Sequence, residues 1–177
     1  MESELKASRA QWNVIANQVQ MTVVDRTPGP EESYGLDGWA GYEAGRRRMV
    51  SALLDTRVSN PIVITGDTHS NWVGDLKIDY RDKRQPVIAT EFNGTSISSG
   101  GDGGPTPSPQ VAAYVSENPH VKFYNNQRGY VRCELTRRSL TADFRVVEKV
   151  SVPESAISTR ATFLIEDGRP EAKVLSS

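Results

Sequence analysis

The residues best suited to chemistry fall in the stretch PIVITGDTHSNW, residues 61–72. A short apolar run, 61–66, ends in Gly66 and is followed at once by Asp67, Thr68 and His69. An apolar run of this length bounded by turn residues predicts a strand buried on both faces. A carboxylate and an imidazole two residues apart at the C-terminal end of such a strand suit a metal site. Open sheets bind ligands in the crevice beyond those strand ends, and Gly66 permits a sharp turn into it. Carboxylate oxygen suits hard cations such as calcium, and imidazole suits zinc, iron or manganese. The same residues also fit a plain turn, with Asp67 capping the next segment and His69 meeting a backbone carbonyl.

A second candidate group lies in YGLDGWAGYEAGRRRM, residues 34–49. Asp37, Trp39 and Tyr42 precede a predicted helix. They read either as pocket residues or as a capping aspartate with two packed aromatics. Arg46, Arg47 and Arg48 can match phosphate oxygens, but a three-arginine run on a helix reads first as a solvated face. His120 reads as a surface or packing residue and Arg128 as a surface residue. Cys133 alternates with strand neighbours and reads as a small core or sheet residue. Ser96, Ser98 and Ser99 lack a nucleophile-elbow pattern. The 100–104 run GGDGG lacks the Lys-Ser/Thr of a phosphate-binding loop.

The elements that must position these residues follow from patterning. Residues 11–21 predict a strand with Trp12, Val14, Ala16 and Val19 alternating. Residues 25–35 predict a loop, rich in Pro and Gly. Residues 42–57 predict an amphipathic helix with Val50, Leu53 and Leu54 on one face. A second central strand is expected at 86–92, and 93–109 reads as a mobile loop over a site or a solvated linker. Residues 111–117 predict a helical turn. The stretches 130–135 and 141–150 predict an antiparallel hairpin, and 161–170 a last edge strand.

Composition bounds the class. The 177 residues suffice for one domain with a core. The 21 basic and 22 acidic residues leave a net charge of −1, so nothing points to nucleic acid or a membrane surface. No apolar run is long enough to span a bilayer. The N-terminal residues carry no apolar signal-peptide core. A single cysteine excludes an intrachain disulfide framework and a cysteine-rich zinc site. A self-contained metal-binding module would need Asp37, Asp75 or His120 to converge on Asp67 and His69.

Six segments taken in order, LKASRAQWNVIANQVQM, DGWAGYEAGRRRMVSALL, NPIVITGDTHSNWVGDL, ATEFNGTSISSGGDG, HVKFYNNQRGYVRCELT and TADFRVVEKV, resemble one family. They look like the C-terminal half of a PhoD-type alkaline phosphatase of the calcineurin-like metallophosphoesterase superfamily. The resemblance covers about residues 5–150, with 151–177 a terminal strand and tail, and 1–177 one partial domain. It implies an α/β (α+β) fold, the C-terminal half of a two-sheet β-sandwich flanked by helices. It implies a phosphomonoesterase or phosphodiesterase with a dinuclear site using calcium and iron, in a periplasmic or extracellular protein.

Within it, Asp67 and His69 match metal ligands. Asp37, Trp39, Tyr42 and Trp72 match residues near the pocket. Glu91, Phe92, Ser96, Ser98 and Ser99 match a supporting strand and loop. The family's other ligands and its phosphate-binding arginine lie in an N-terminal half that this sequence does not match, and Cys133 is not the family's cysteine ligand. The expectation is therefore a truncated product, split gene or fragment, completed by the missing half or a second copy. The alternative is an inactive half-domain that only binds a partner.

Overall fold

The computed structural model describes residues 2–82 and 84–177. Two β-sheets face each other across a common core. The first has five strands in the order β1 (Asn13–Ala16), β2 (Pro61–Thr65), β4 (Ala89–Asn93), β3 (Asn71–Leu76), β5 (Val121–Asn125). The β1, β2 and β4 strands run parallel, and β3 is antiparallel to both of its neighbours. The second sheet is an antiparallel meander, β6 (Gly129–Leu135), β7 (Ser139–Val147), β8 (Ile157–Glu166) and β9 (Lys173–Ser176). Among the described residues three α-helices accompany them: α1 (Glu2–Ala7), α2 (Glu43–Thr56) and α3 (Pro109–Glu117).

The apolar run of β2 is continuous because both faces are covered. Ile62 packs into the inter-sheet core with Val73, Phe92, Phe123, Phe144 and Phe163. Val63, on the opposite face, packs with Met49, Val50 and Leu53 of α2 and with Leu5 of α1. In β7 burial alternates strictly, since one face of the second sheet meets solvent. Phe144 stands at the centre of the sandwich, its ring 5.1 Å from Phe123, 5.8 Å from Phe163 and 6.3 Å from Phe92. These are edge and tilted contacts of the kind aromatic quadrupoles favour.

Several expectations are corrected here. The strand expected over 11–21 is only β1. Trp12 reaches the inter-sheet core, but Val14 is 48% exposed and Ala16 is exposed, because both lie on an edge strand that the second sheet does not cover. The β8 strand is not an edge, since β9 pairs with it. The β3 strand carries no alternation because it is buried along its whole length, whereas β5, for which no strand is predicted, alternates in burial.

The arginine run is not a solvated face. Arg46 is buried, pairs with Glu43, donates to the carbonyls of Lys77 and Ile78 (2.8 Å each), and lies over the Tyr80 ring. Arg47 pairs with Glu43 and Asp79, and only Arg48 points to water. Arg128, expected at the surface, is 1% exposed. Cys133 lies on β6 and is exposed.

Four strands pair on one side only among the described residues, β1 and β5 in the first sheet and β6 and β9 in the second. The β1 strand pairs only with β2, and β6 only with β7. The β6 edge borders a groove of about 320 Å³, lined by Ile64, Phe92, Ile97 and Val131 among others.

Candidate functional site

The site residues sit on the turn between β2 and β3. Parallel pairing with β1 and β4 fixes where β2 ends, and the neighbours of that end hold the turn. The Thr65 hydroxyl donates to Glu91 (2.5 Å), and the Gly66 amide donates to the Gln18 carbonyl. Asn93 donates its amide to the Gly66 carbonyl (3.0 Å) and offers its oxygen to the Thr68 hydroxyl (2.9 Å). The Thr68 amide closes a tight turn onto the Gly66 carbonyl at 2.9 Å.

Held this way, Asp67 has φ 73° and His69 φ 54°. Both are non-glycine residues in the left-handed region, each at a cost of about 1–2 kcal/mol. Thr68 between them turns inward, and the side chains of Asp67 and His69 are both exposed. Neither side chain makes a hydrogen bond or ion pair among the described residues. Asp67 therefore caps nothing, and β3 rather than a helix follows it. The His69 ring meets no backbone carbonyl. The turn spends backbone strain on presenting two free ligand-type groups to solvent.

Asp67 and Thr68 line a cavity of about 260 Å³ together with Asp37, Arg26, Gln20 and Thr22. The match of Asp37 to a pocket residue thus has a spatial counterpart. The aromatic candidates are placed differently. Trp39 belongs to a short 3₁₀ turn, Trp39–Tyr42, and packs against the cluster under α2. Tyr42 is 70% exposed. Trp72 is buried against Tyr124 (4.5 Å between rings), and its indole N–H donates to the Ser70 hydroxyl at 2.8 Å, which steadies the end of the site turn.

Asp75 and His120 do not join the site. Asp75 pairs with Lys122 at 3.0 Å, and burial pushes its carboxyl up to about 6 against the pull of that lysine. His120 donates its ring N–H to, or shares it with, the Val23 carbonyl (2.6 Å) and stacks on Tyr80; burial holds its imidazole down at about 4. Among the described residues no three His, Cys, Asp or Glu side chains are grouped to hold a metal ion. Asp67 and His69 are chemically fit for a hard or borderline cation, one oxygen and one nitrogen donor, but they supply two donors where a tight protein site uses three or four.

Two residues behind the turn hold it, Glu91, read from sequence as supporting, and Arg128, read as a surface residue. Glu91 is fully buried and accepts from the amides of Met21 (2.8 Å) and Thr22 (2.6 Å) as well as from Thr65. Burial raises its carboxyl against the downward pull of those bonds. It ties the cavity floor to the strand end beneath Asp67. Arg128 donates to the His69 carbonyl from below. Its local sequence, NNQRGY, carries no periodicity that distinguishes it from a loop arginine.

A two-sheet sandwich with helices on the outer face of its mixed sheet, and an Asp-x-His turn at a central strand end, has the architecture of part of a metallophosphoesterase. The sequence model of the PhoD-like phosphatase family matches residues 1–144. The chain belongs to that family. It is 36% identical over 175 residues to alkaline phosphatase D of Bacillus subtilis (strain 168), covering 99% of this chain and 30% of that protein. A solved structure described as the structure of PhoD superposes with a TM-score of 0.93 at 36% identity, over 99% of this chain and 34% of the other. The chain thus spans about a third of the length of the relatives it matches. Among the described residues no helix is long and apolar enough to cross a membrane.

Proposed function

We propose that this chain contributes part of the active site of a metal-dependent phosphoric ester hydrolase, acting on phosphomonoesters or phosphodiesters. The observation that carries the reading is the turn itself. In a PhoD-like chain, Asp67 and His69 stand free at positive φ, and Asp67 lines a cavity shared with Asp37. Asp67 and His69 would hold metal, with calcium and iron as the ions the family resemblance implies. A bound metal pair supplies Lewis-acid charge to the phosphoryl group and a nucleophile near neutral pH. The chain's own residues position: Glu91, Asn93 and Thr68 hold the turn, and Trp72 fixes Ser70 at its end.

Two donors do not complete a metal site, so the remaining ligands come from a polypeptide equivalent to the part of the relatives that this chain does not span, or from a second copy. The open edge of β6 and the apolar groove beside it support this as the surface it meets. A periplasmic or extracellular setting follows from the family resemblance. The same open edge favours a second reading, a half-domain that binds a partner without catalysing anything.

The deciding experiment assays the purified chain on a chromogenic phosphomonoester and diester with calcium and iron supplied, counts bound metal, and repeats both with Asp67→Ala and His69→Ala. Turnover abolished in both variants supports a working site. No turnover and substoichiometric metal supports the second reading, and recovery of turnover on adding the complementary polypeptide returns the balance to the first.

A further inference from the structure

We infer that Arg128 is the positioning residue for His69, a buried guanidinium that locks the site turn and the 96–103 loop into one unit. The inference rests on the reading of Asp67 and His69 as metal ligands. The two hydrogens of Arg128 Nη1 are shared among the His69 carbonyl (2.6 Å), the Ser99 carbonyl (2.9 Å) and the Ser96 hydroxyl (3.0 Å). From Nη2 the same side chain donates to the Asn126 carbonyl and side-chain oxygen, 2.6 Å each. Three separate stretches of chain therefore converge on one side chain that is 1% exposed.

Every one of those acceptors is neutral. No carboxylate pairs with Arg128 among the described residues, and its Nε–H is buried without a partner. A guanidinium withdrawn from water without a counter-charge is expensive, and a hydrophobic side chain of similar volume would serve plain stability better. What a hydrophobic residue cannot do is bind five oxygens in a fixed planar fork. Burial accordingly lowers the Arg128 pKa, with no carboxylate to oppose it.

The loop is fixed at its other end too. Asp102 accepts from the amides of Val150 and Ser151 (2.8 Å each) and from the Ser151 hydroxyl (2.7 Å), which anchors the loop to the chain after β7. The glycine-rich stretch is thus solvent-exposed along most of its length but tied down at both ends, a strap over the turn. Gly100 lies between the two groups at issue: a Cβ there would stand 3.2 Å from Arg128 Nη1 and 3.6 Å from His69 Nδ1. The backbone carbonyl of His69 and the loop carbonyl of Ser99 are therefore held by the same Nη1 group, beside the imidazole. His69 has a strained φ of 54°, so its ring direction depends on this support.

The test uses the full chain, isotopically labelled, because its two histidines give only two imidazole signal sets in NMR. Manganese(II) is the probe, read by paramagnetic broadening of the His69 ring. Arg128→Met keeps the buried volume and removes the fork; Arg128→Lys keeps the charge and removes the fork. His120, distant in the fold and held by Val23, reports whether each variant is folded. The expected result is an unchanged His120 ring, a His69 ring shifted toward its free value, and manganese affinity weakened roughly tenfold or more, the usual effect of losing an outer-shell partner. Lysine should not rescue, because one ammonium cannot bridge three segments. If Arg128→Met fails to fold, Arg128→Lys carries the same readouts. An unmoved His69 ring with unchanged manganese affinity in a folded variant overturns the inference. A wild-type chain whose His69 ring is not broadened overturns the metal-ligand reading instead, and the shift of the His69 ring in the variants then still decides the role of Arg128.

Discussion

Replacing Glu91 with glutamine should destabilise the chain and loosen the cavity floor, although the side chain changes by one atom type. Glu91 uses both oxygens. Oε1 accepts from the Met21 amide and the Thr65 hydroxyl, and Oε2 accepts from the Thr22 amide. A glutamine can keep its oxygen at only one of these places. With the oxygen at the Oε1 position, its NH₂ group faces the Thr22 N–H, donor against donor, in a fully buried site. One buried amide then loses its acceptor, at about 1–3 kcal/mol. For a chain of this size that lowers Tm by roughly 4–8 °C for the middle of the range. Glu91→Ala strands two amides and a hydroxyl and should cost about twice as much or more. Thermal unfolding gives the magnitude, and amide hydrogen exchange gives the location: protection should fall first at Met21 and Thr22. A Glu91→Gln variant with unchanged Tm and unchanged exchange at these two amides would refute the claim that the carboxylate joins cavity floor to strand end.

Two buried titrations, at His120 and Asp75, oppose each other in their effect on stability. His120, held near 4, contributes stability that is present above its unfolded value of about 6.5 and is lost as pH falls through about 4. Asp75, raised to about 6, contributes in the opposite sense: its share is present below the unfolded carboxylate value of about 3.9 and is lost as pH rises through about 6. Each is worth on the order of 3 kcal/mol. His120→Gln should therefore make stability fall between about pH 4 and 6, and Asp75→Asn should make it rise; two flat denaturation profiles would show that neither group titrates as placed. Phe144→Ala should cost about 3–5 kcal/mol in urea denaturation, since its ring joins Phe92, Phe123 and Phe163 across the sheets. Gly103→Ala should unseat the strap, since a Cβ would stand 1.7 Å from the Asn126 carbonyl oxygen at φ 69°; a loss of about 1–3 kcal/mol is expected, and a neutral result would mean the loop is not held against Asn126.

Local pattern determined a good deal by itself. The unbroken apolar run before Gly66 marked β2 as a strand covered on both faces, and the alternation around Ser139 marked the β6–β7 hairpin. The Asp-x-His spacing after a buried strand named the two exposed groups of the site turn, and the ordered segments pointed to the family that the comparisons show. These signals are short-range: periodicity, turn chemistry and spacing are written within a few residues.

Tertiary structure decided the rest. Strand β3 lacks alternation because both of its faces are covered. Arg46 and Arg128 read as surface residues because a charge run or a loop arginine is normally solvated. Their buried oxygens come from Lys77 and Ile78 in one case, and from His69, Ser96 and Ser99 in the other, 29 or more residues away. Only the fold could show that Asp75 and His120 turn inward while Asp67 and His69 stay free. The direction of a side chain at positive φ, and the partners of a buried charge, are set by which distant segments the sheets bring together.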